Sequence, residues 1–171
     1  FEDAKVPKEN ILVEAGNFAR MMQAFNAERC GNGALSLGVA QAAFNEALRY
    51  SDERVQFGKP ISKFQGIRWM LAEMAIQVEA GRLLLYRAAT NAESGLPNHM
   101  ETAMAKTFCN EMAIAVTNQA LQIHGGYGYM GEYPIERMYR DVRFPALGGG
   151  TVQIQKDVIA AELLKGSWAT Y

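Results

Sequence analysis

The sequence is short of cysteine, histidine and proline, with two, two and five of them in 171 residues. Cys30 and Cys109 make no disulfide framework, and both fall in helical stretches, so free thiols in a reducing compartment are expected. His99 and His124 are too few for the usual metal sites. Neither has a glutamate three residues before it, as a di-iron bundle needs, and with two cysteines they make no zinc spacing. No metal is expected. An excess of charge is also missing. Lys+Arg number 17 against 18 Asp+Glu, and a net charge of -1 gives nucleic acid or an anionic membrane nothing to bind broadly. Charges interrupt every apolar run well before the roughly 18 residues of a membrane span. The polar, acidic N-terminus has no apolar region of the secretory kind.

What the chain does have is helical periodicity over about one domain's length. Residues 1–15 differ from the rest: Phe1 to Asn10 is extended in character and interrupted by Pro7. They are expected to be the end of an upstream β domain and a linker, leading into a C-terminal helical bundle domain over 16–171. The opening Phe1 suggests a piece of a longer protein. A first helix is expected from near Asn17 to Ser51, with Leu37, Ala40, Phe44 and Ala47/Leu48 on one face. A second carries Phe64, Ile67, Leu71, Met74, Val78, Gly81 and Leu85 on its seam, with Ser62 and Gln65 as a capping box. A turn at Ser94–Pro97 and a cap at Asn98 with Glu101 open a third. That helix is expected to present Met104, Phe108, Met112 and Ala115 and to end at a glycine cap in His124-Gly125-Gly126. Pro134 sits at the first position of a short fourth helix. Thr151 caps a last helix ending near Gly166. The expected fold is all-α, an antiparallel four-helix-type bundle with a short extended N-terminal remnant of a β domain.

Gly126-Tyr-Gly128-Tyr-Met-Gly131 spells GxGxxG. That pattern cradles a pyrophosphate when a strand precedes it and a helix opens directly after it. Here a long amphipathic helix precedes it, so it reads as a helix-to-helix loop whose glycines permit positive φ.

From Gln122 the residues run Gln-Ile-His-Gly-Gly-Tyr-Gly-Tyr-Met-Gly-Glu-Tyr-Pro-Ile-Glu-Arg-Met-Tyr-Arg-Asp, ending at Asp141. This run resembles the C-terminal signature of the acyl-CoA dehydrogenases at each constrained position. Asp3 to Asn10, Glu53-Arg-Val-Gln-Phe-Gly58 and Gly150-Thr151 resemble that family's β-domain exit, mid-domain loop and active-site loop, in the same order. The resemblance spans the whole chain, which corresponds to less than half of a typical member.

The resemblance implies an FAD-dependent α,β-dehydrogenation of an acyl-CoA, with electrons passed to an electron-transfer flavoprotein. It also implies a homotetramer, a dimer of dimers, in fatty acid or amino acid catabolism. The compartment would be bacterial cytoplasm or mitochondrial matrix. Arg54, Gln56, Phe57, Gln65, Gln122, Gly125 and Gly126 would reach a neighbouring subunit's FAD, and Thr151 to Gln153 the subunit's own. Arg29 and Gly150 would line the substrate. Bland readings stand beside these: Gln65 completing its capping box, Phe57 as packing, and Arg140 with Asp141 as a structural ion pair.

The family's base is most often a Glu directly before the Gly-Thr pair, and here that position is Gly149. A minority, typified by the isovaleryl-CoA and long-chain enzymes, carries the base on the first long helix, directly before an Arg. Glu28-Arg29 fits that placement, 26 residues before Arg54 (54 − 28). Glu28 is therefore the expected base, and the Gly149 backbone N–H a donor to the thioester oxygen. Two alternatives stay open. One is a non-oxidative lyase such as a desulfinase, whose members tend to lack the base. The other is an isolated oligomerisation module without activity of its own, since the fragment alone is expected to be inactive.

Overall fold

The computed structural model describes residues 1–93 and 96–166. Helix α1 (Phe18–Glu53) leads through a hairpin of β1 (Val55–Gln56) and β2 (Lys59–Pro60) into α2 (Gln65–Thr90). A second short pair, β3 (Ala92–Glu93) and β4 (Leu96–Pro97), precedes α3 (His99–His124). The turn expected at Ser94–Gly95 lies outside the described residues. A 3-10 turn over Gly125–Tyr129 then leads to α4 (Ile135–Asp141) and α5 (Val152–Leu164). The four two-residue strands are the difference from a purely helical reading. They are too short to alternate, so no period of two is visible in them.

α3 is the axis of the bundle. α1 and α2 pack along it and on each other, while α4 and α5 pack chiefly against α3. Fifteen of its 26 residues are buried, and the exposed Glu111, Ala115, Asn118 and Gln122 fall on one narrow outward stripe. The expected seam is corrected accordingly. Met112 is buried, but Ala115 is exposed and Met104 and Phe108 are half-buried, while Ala105, Cys109, Ala113, Val116 and Ala120 form the interior. On α1 and α2 the seams are as expected at Leu37, Ala40 and Ala47 and at Met74, Val78, Gly81 and Leu85. Leu48 faces outward.

The helix ends divide similarly. The Asn98 side chain accepts from the N–H groups of Met100 (2.9 Å) and Glu101 (3.1 Å). Thr151 accepts from Ile154 N–H at 3.3 Å, and Gly125 ends α3 at φ +60°. Ser62 caps nothing. Residues Ile61–Lys63 form a 3-10 turn, Phe64 takes the N-cap position of α2, and the Ser62 hydroxyl donates to Asp52 at 3.2 Å. Gln65 thus completes no capping box. Pro134 is the residue before α4, not its first. Arg140 pairs with Glu136 at 2.9 Å, one turn back, and not with Asp141. Residues 1–15 hold one 3-10 turn, Lys8–Asn10, and no strand. Cys30 and Cys109 are free, and burial pushes the Cys109 thiol up to about 12. No helix among the described residues is long and apolar enough to cross a membrane.

Candidate functional site

The loop between α4 and α5 carries three consecutive glycines, Gly148 to Gly150. Gly149 and Gly150 have φ of +62° and +86°, the left-handed region that an L side chain resists. Glu28 faces this loop from α1. A Cβ placed on Gly149 would come within 2.5 Å of both Glu28 carboxylate oxygens, so the glycine is what admits the carboxylate. Glu28 is exposed in this chain, and its carboxylate is on the loop's side of the bundle.

Behind the loop stands a residue that sequence reasoning passed over. Lys106 on α3 is fully buried, and its Nζ donates to the carbonyls of Gly148 (2.5 Å), Gly149 (2.9 Å) and Gly150 (2.7 Å). Burial pushes its ammonium below the ordinary lysine range, while the Glu28 carboxylate opposes that shift. The available signal was local: a lone lysine among Ala103, Met104, Ala105, Thr107 and Phe108 has no charged residue within four positions on either side. Gln155, also fully buried, donates to the Gly150 carbonyl at 3.3 Å.

Arg29 neighbours Glu28 but is spent elsewhere. It is buried and donates from one guanidinium nitrogen to Asn26 Oδ1 and to His99 Nδ1, each at 3.0 Å. Its Nε has no partner among the described residues. Burial holds the His99 imidazole below its ordinary value, and the adjacent guanidinium lowers it further, which suits a neutral acceptor.

A second concave region lies at the other end of α1. A cavity of about 550 Å³ is lined by Arg54 and Gln56 together with Gly125, Gly126, His124 and Tyr127. The Arg54 guanidinium stands 5.3 Å from the Tyr127 ring centroid. His124 stacks on Tyr50 with centroids 4.2 Å apart. Its Nδ1 meets the Ala120 carbonyl at 2.8 Å, and its buried Nε2 has no partner among the described residues. A fixed cation, exposed glycine backbone and flat aromatic walls fit a phosphate-bearing nucleotide such as the ADP half of FAD.

The structure thus brings together Glu28, Gly149 and Gly150 at one place, and Arg54, Gln56, Gly125 and Gly126 at another. Phe57, exposed at φ +51°, stays outside the cavity, as do Gln65 at the start of α2 and Gln122 in the last turn of α3. Thr151 caps α5 and the exposed Gln153 lies in its first turn, directly after the glycines. Sequence reasoning missed Lys106, Gln155 and the His124–Tyr50 stack.

Comparison with known proteins gives a consistent set. Residues 17–164 match the family described as "Acyl-CoA dehydrogenase, C-terminal domain". The chain is 47% identical to an acryloyl-CoA reductase (NADH) of Anaerotignum propionicum, covering 96% of this chain and 42% of that protein. It is 50% identical to a 3-sulfinopropanoyl-CoA desulfinase of Paraburkholderia xenovorans, covering 96% and 43%. Among solved structures, butyryl-CoA dehydrogenase from Megasphaera elsdenii superposes with a TM-score of 0.90 at 43% identity, again over 96% and 43%. The chain therefore spans under half the length of these relatives.

Proposed function

This chain belongs to the acyl-CoA dehydrogenase family, and from that premise we propose that it is the C-terminal helical domain of an FAD-dependent acyl-CoA dehydrogenase. The observation that carries this reading is the approach of the Glu28 carboxylate to the space beside Gly149. A carboxylate there serves as the base that takes the α proton of a bound thioester. The Gly149 N–H, which donates to no acceptor among the described residues, is available to the thioester oxygen as that oxygen gains charge. FAD, when bound, supplies the acceptor for the β hydride. Arg54, Gln56, Gly125 and Gly126 would hold the nucleotide portion, while Thr151 and Gln153 would reach a second flavin at the other end. The remaining partners are an electron-transfer flavoprotein and further copies of the same subunit in a homotetramer.

The likeness to a desulfinase favours a second reading, in which the same fold cleaves a carbon–sulfur bond without net oxidation. That reaction needs no α-proton base, so a carboxylate fitted against Gly149 would have no task. The test is anaerobic flavin bleaching in a full-length enzyme carrying this domain, wild type against Glu28→Gln. The panel holds straight and branched acyl-CoAs and 3-sulfinopropanoyl-CoA. The expected result is bleaching in wild type and a rate about 10²–10⁴-fold lower in the variant. Equal bleaching in both overturns Glu28 as base. Sulfite release with the flavin still yellow overturns dehydrogenation. The 171-residue chain alone is expected to purify colourless.

A further inference from the structure

Lys106 is the largest fully buried side chain among the described residues, and a buried ammonium is tolerated only when its donors are satisfied. Here three carbonyls in succession, those of Gly148, Gly149 and Gly150, take all three of its protons. No peptide among the described residues is cis, and in a trans peptide the N–H points opposite to the C=O. Turning the Gly148 carbonyl onto Lys106 therefore turns the Gly149 N–H away from it. The Gly149 and Gly150 carbonyls likewise fix the directions of the Gly150 and Thr151 N–H groups. A second buried side chain holds the loop's entry. Asn110, one helical turn beyond Lys106, donates to the Pro145 carbonyl at 2.9 Å and accepts from Ser36 at 2.6 Å. On the open side of the loop stands Glu28.

We propose that Lys106 is a positioning residue for α-proton removal: by gripping three loop carbonyls it aims the Gly149 N–H at the thioester oxygen while keeping the Gly149 backbone where Glu28 needs it. This rests on the reading of Glu28 and Gly149 given above. An unheld loop of three glycines has many conformations, and a donor that wanders stabilises little developing charge. Lysine suits the task because its three protons radiate from one point, whereas arginine presents a planar fork.

The experiment uses full-length flavoprotein and a 3-oxaacyl-CoA labelled at the thioester carbonyl, in which an oxygen replaces the β carbon so that no hydride can leave. Two readouts separate the roles. The infrared carbonyl stretch of the bound analogue reports the Gly149 N–H, and exchange of its α protons with deuterated water reports the base. Lys106→Met is expected to keep flavin and analogue affinity, lose most of the downshift in the stretch, and slow exchange by about 10²-fold. Glu28→Gln is expected to keep the downshift and lose exchange. If Lys106→Met keeps the wild-type stretch and exchange rate, the proposal is overturned. Persistent exchange in Glu28→Gln overturns the base instead and leaves Lys106 judged by the stretch. Should Lys106→Met not assemble, Lys106→Arg keeps the charge without the tripod. It is expected to keep only part of the downshift, and a stretch equal to that of the wild type there also overturns the proposal.

Discussion

Gly149 works by having no side chain, and the space it leaves is taken by a carboxylate. Gly149→Ala sets a methyl 2.5 Å from both Glu28 oxygens at a φ of +62°, so either Glu28 swings out or the loop gives way. Displacing a reacting group by about 1 Å is enough for a 10²-fold loss, and that is the expected fall in flavin reduction rate by anaerobic stopped flow. Gly31→Ala is the contrast. It lies on the exposed side of α1 with nothing within 4 Å, so it should gain up to about 1 kcal/mol by helix propensity and leave reduction unchanged. Equal rates in both variants would remove the steric pairing of Glu28 with Gly149. The two histidines carry a pH dependence. Burial lowers His124, and burial with the Arg29 charge lowers His99, so their folded values lie below the ordinary one near 6.5. As pH falls through that window, the unfolded chain binds protons that the folded chain refuses, and stability is lost. Melting temperature should therefore decline from pH 7.5 to 5.5, and His124→Gln should flatten the slope. An unchanged slope would show that His124 does not contribute.

At the scale of elements, burial geometry decides what a sequence reveals. α1 and α2 lie on the outside of the bundle, so Leu37 and Ala40, or Met74 and Val78, stand out against polar neighbours at a spacing of three and four. α3 is covered by four other helices and leaves only one narrow stripe outward, and Met104, Phe108 and Ala115 lie along that stripe, so apolar character does not mark its inner side. That is why Met104 and Ala115 were misplaced and why Lys106 was passed over. Caps were legible where the side chain itself makes the bond, as at Asn98 and Thr151. They were not at Ser62, whose hydroxyl found Asp52 across the hairpin. The glycines after α3 show a similar limit. Their spacing could not say which one matters, but a Cβ on Gly128 would lie 2.7 Å from the Leu121 carbonyl oxygen and 2.9 Å from His124 Cβ. Gly128 allows the 3-10 turn to fold back on the end of α3. Gly128→Ala should cost about 1–3 kcal/mol in denaturant unfolding, since backbone has to shift to admit the methyl. A cost within error would mean that the turn is free to move away.

For the whole molecule, the length of α1 sets the constraint. Glu28 and Arg54 are separated by 26 residues, about 39 Å along a helix, so the two sites stand far apart on one chain. On the reading proposed above, an active centre that needs both a base of the Glu28 kind and a nucleotide clamp of the Arg54 kind would draw them from two copies. α2 carries an exposed apolar row. Trp69, Ile76 and Leu83 recur every seven residues, and each is more than half exposed in the single chain at 61%, 69% and 61%. This arrangement makes a prediction that no single-chain site would share. In the full-length enzyme proposed above, the Glu28→Gln and Arg54→Ala variants should each be impaired. Mixed by co-refolding or co-expression, they form hybrids in which intact Glu28 of one chain meets intact Arg54 of its neighbour. With random pairing, half of the dimers are mixed and one of the two centres in each is whole, so flavin reduction should recover to about a quarter of wild type. Recovery is reciprocal by symmetry and should scale with the fraction of hybrid dimers resolved by ion exchange. If hybrids are formed and isolated yet reduce flavin no faster than their parents, the two ends of α1 do not serve a shared centre, and the Arg54 cavity holds a ligand unrelated to the chemistry at Glu28.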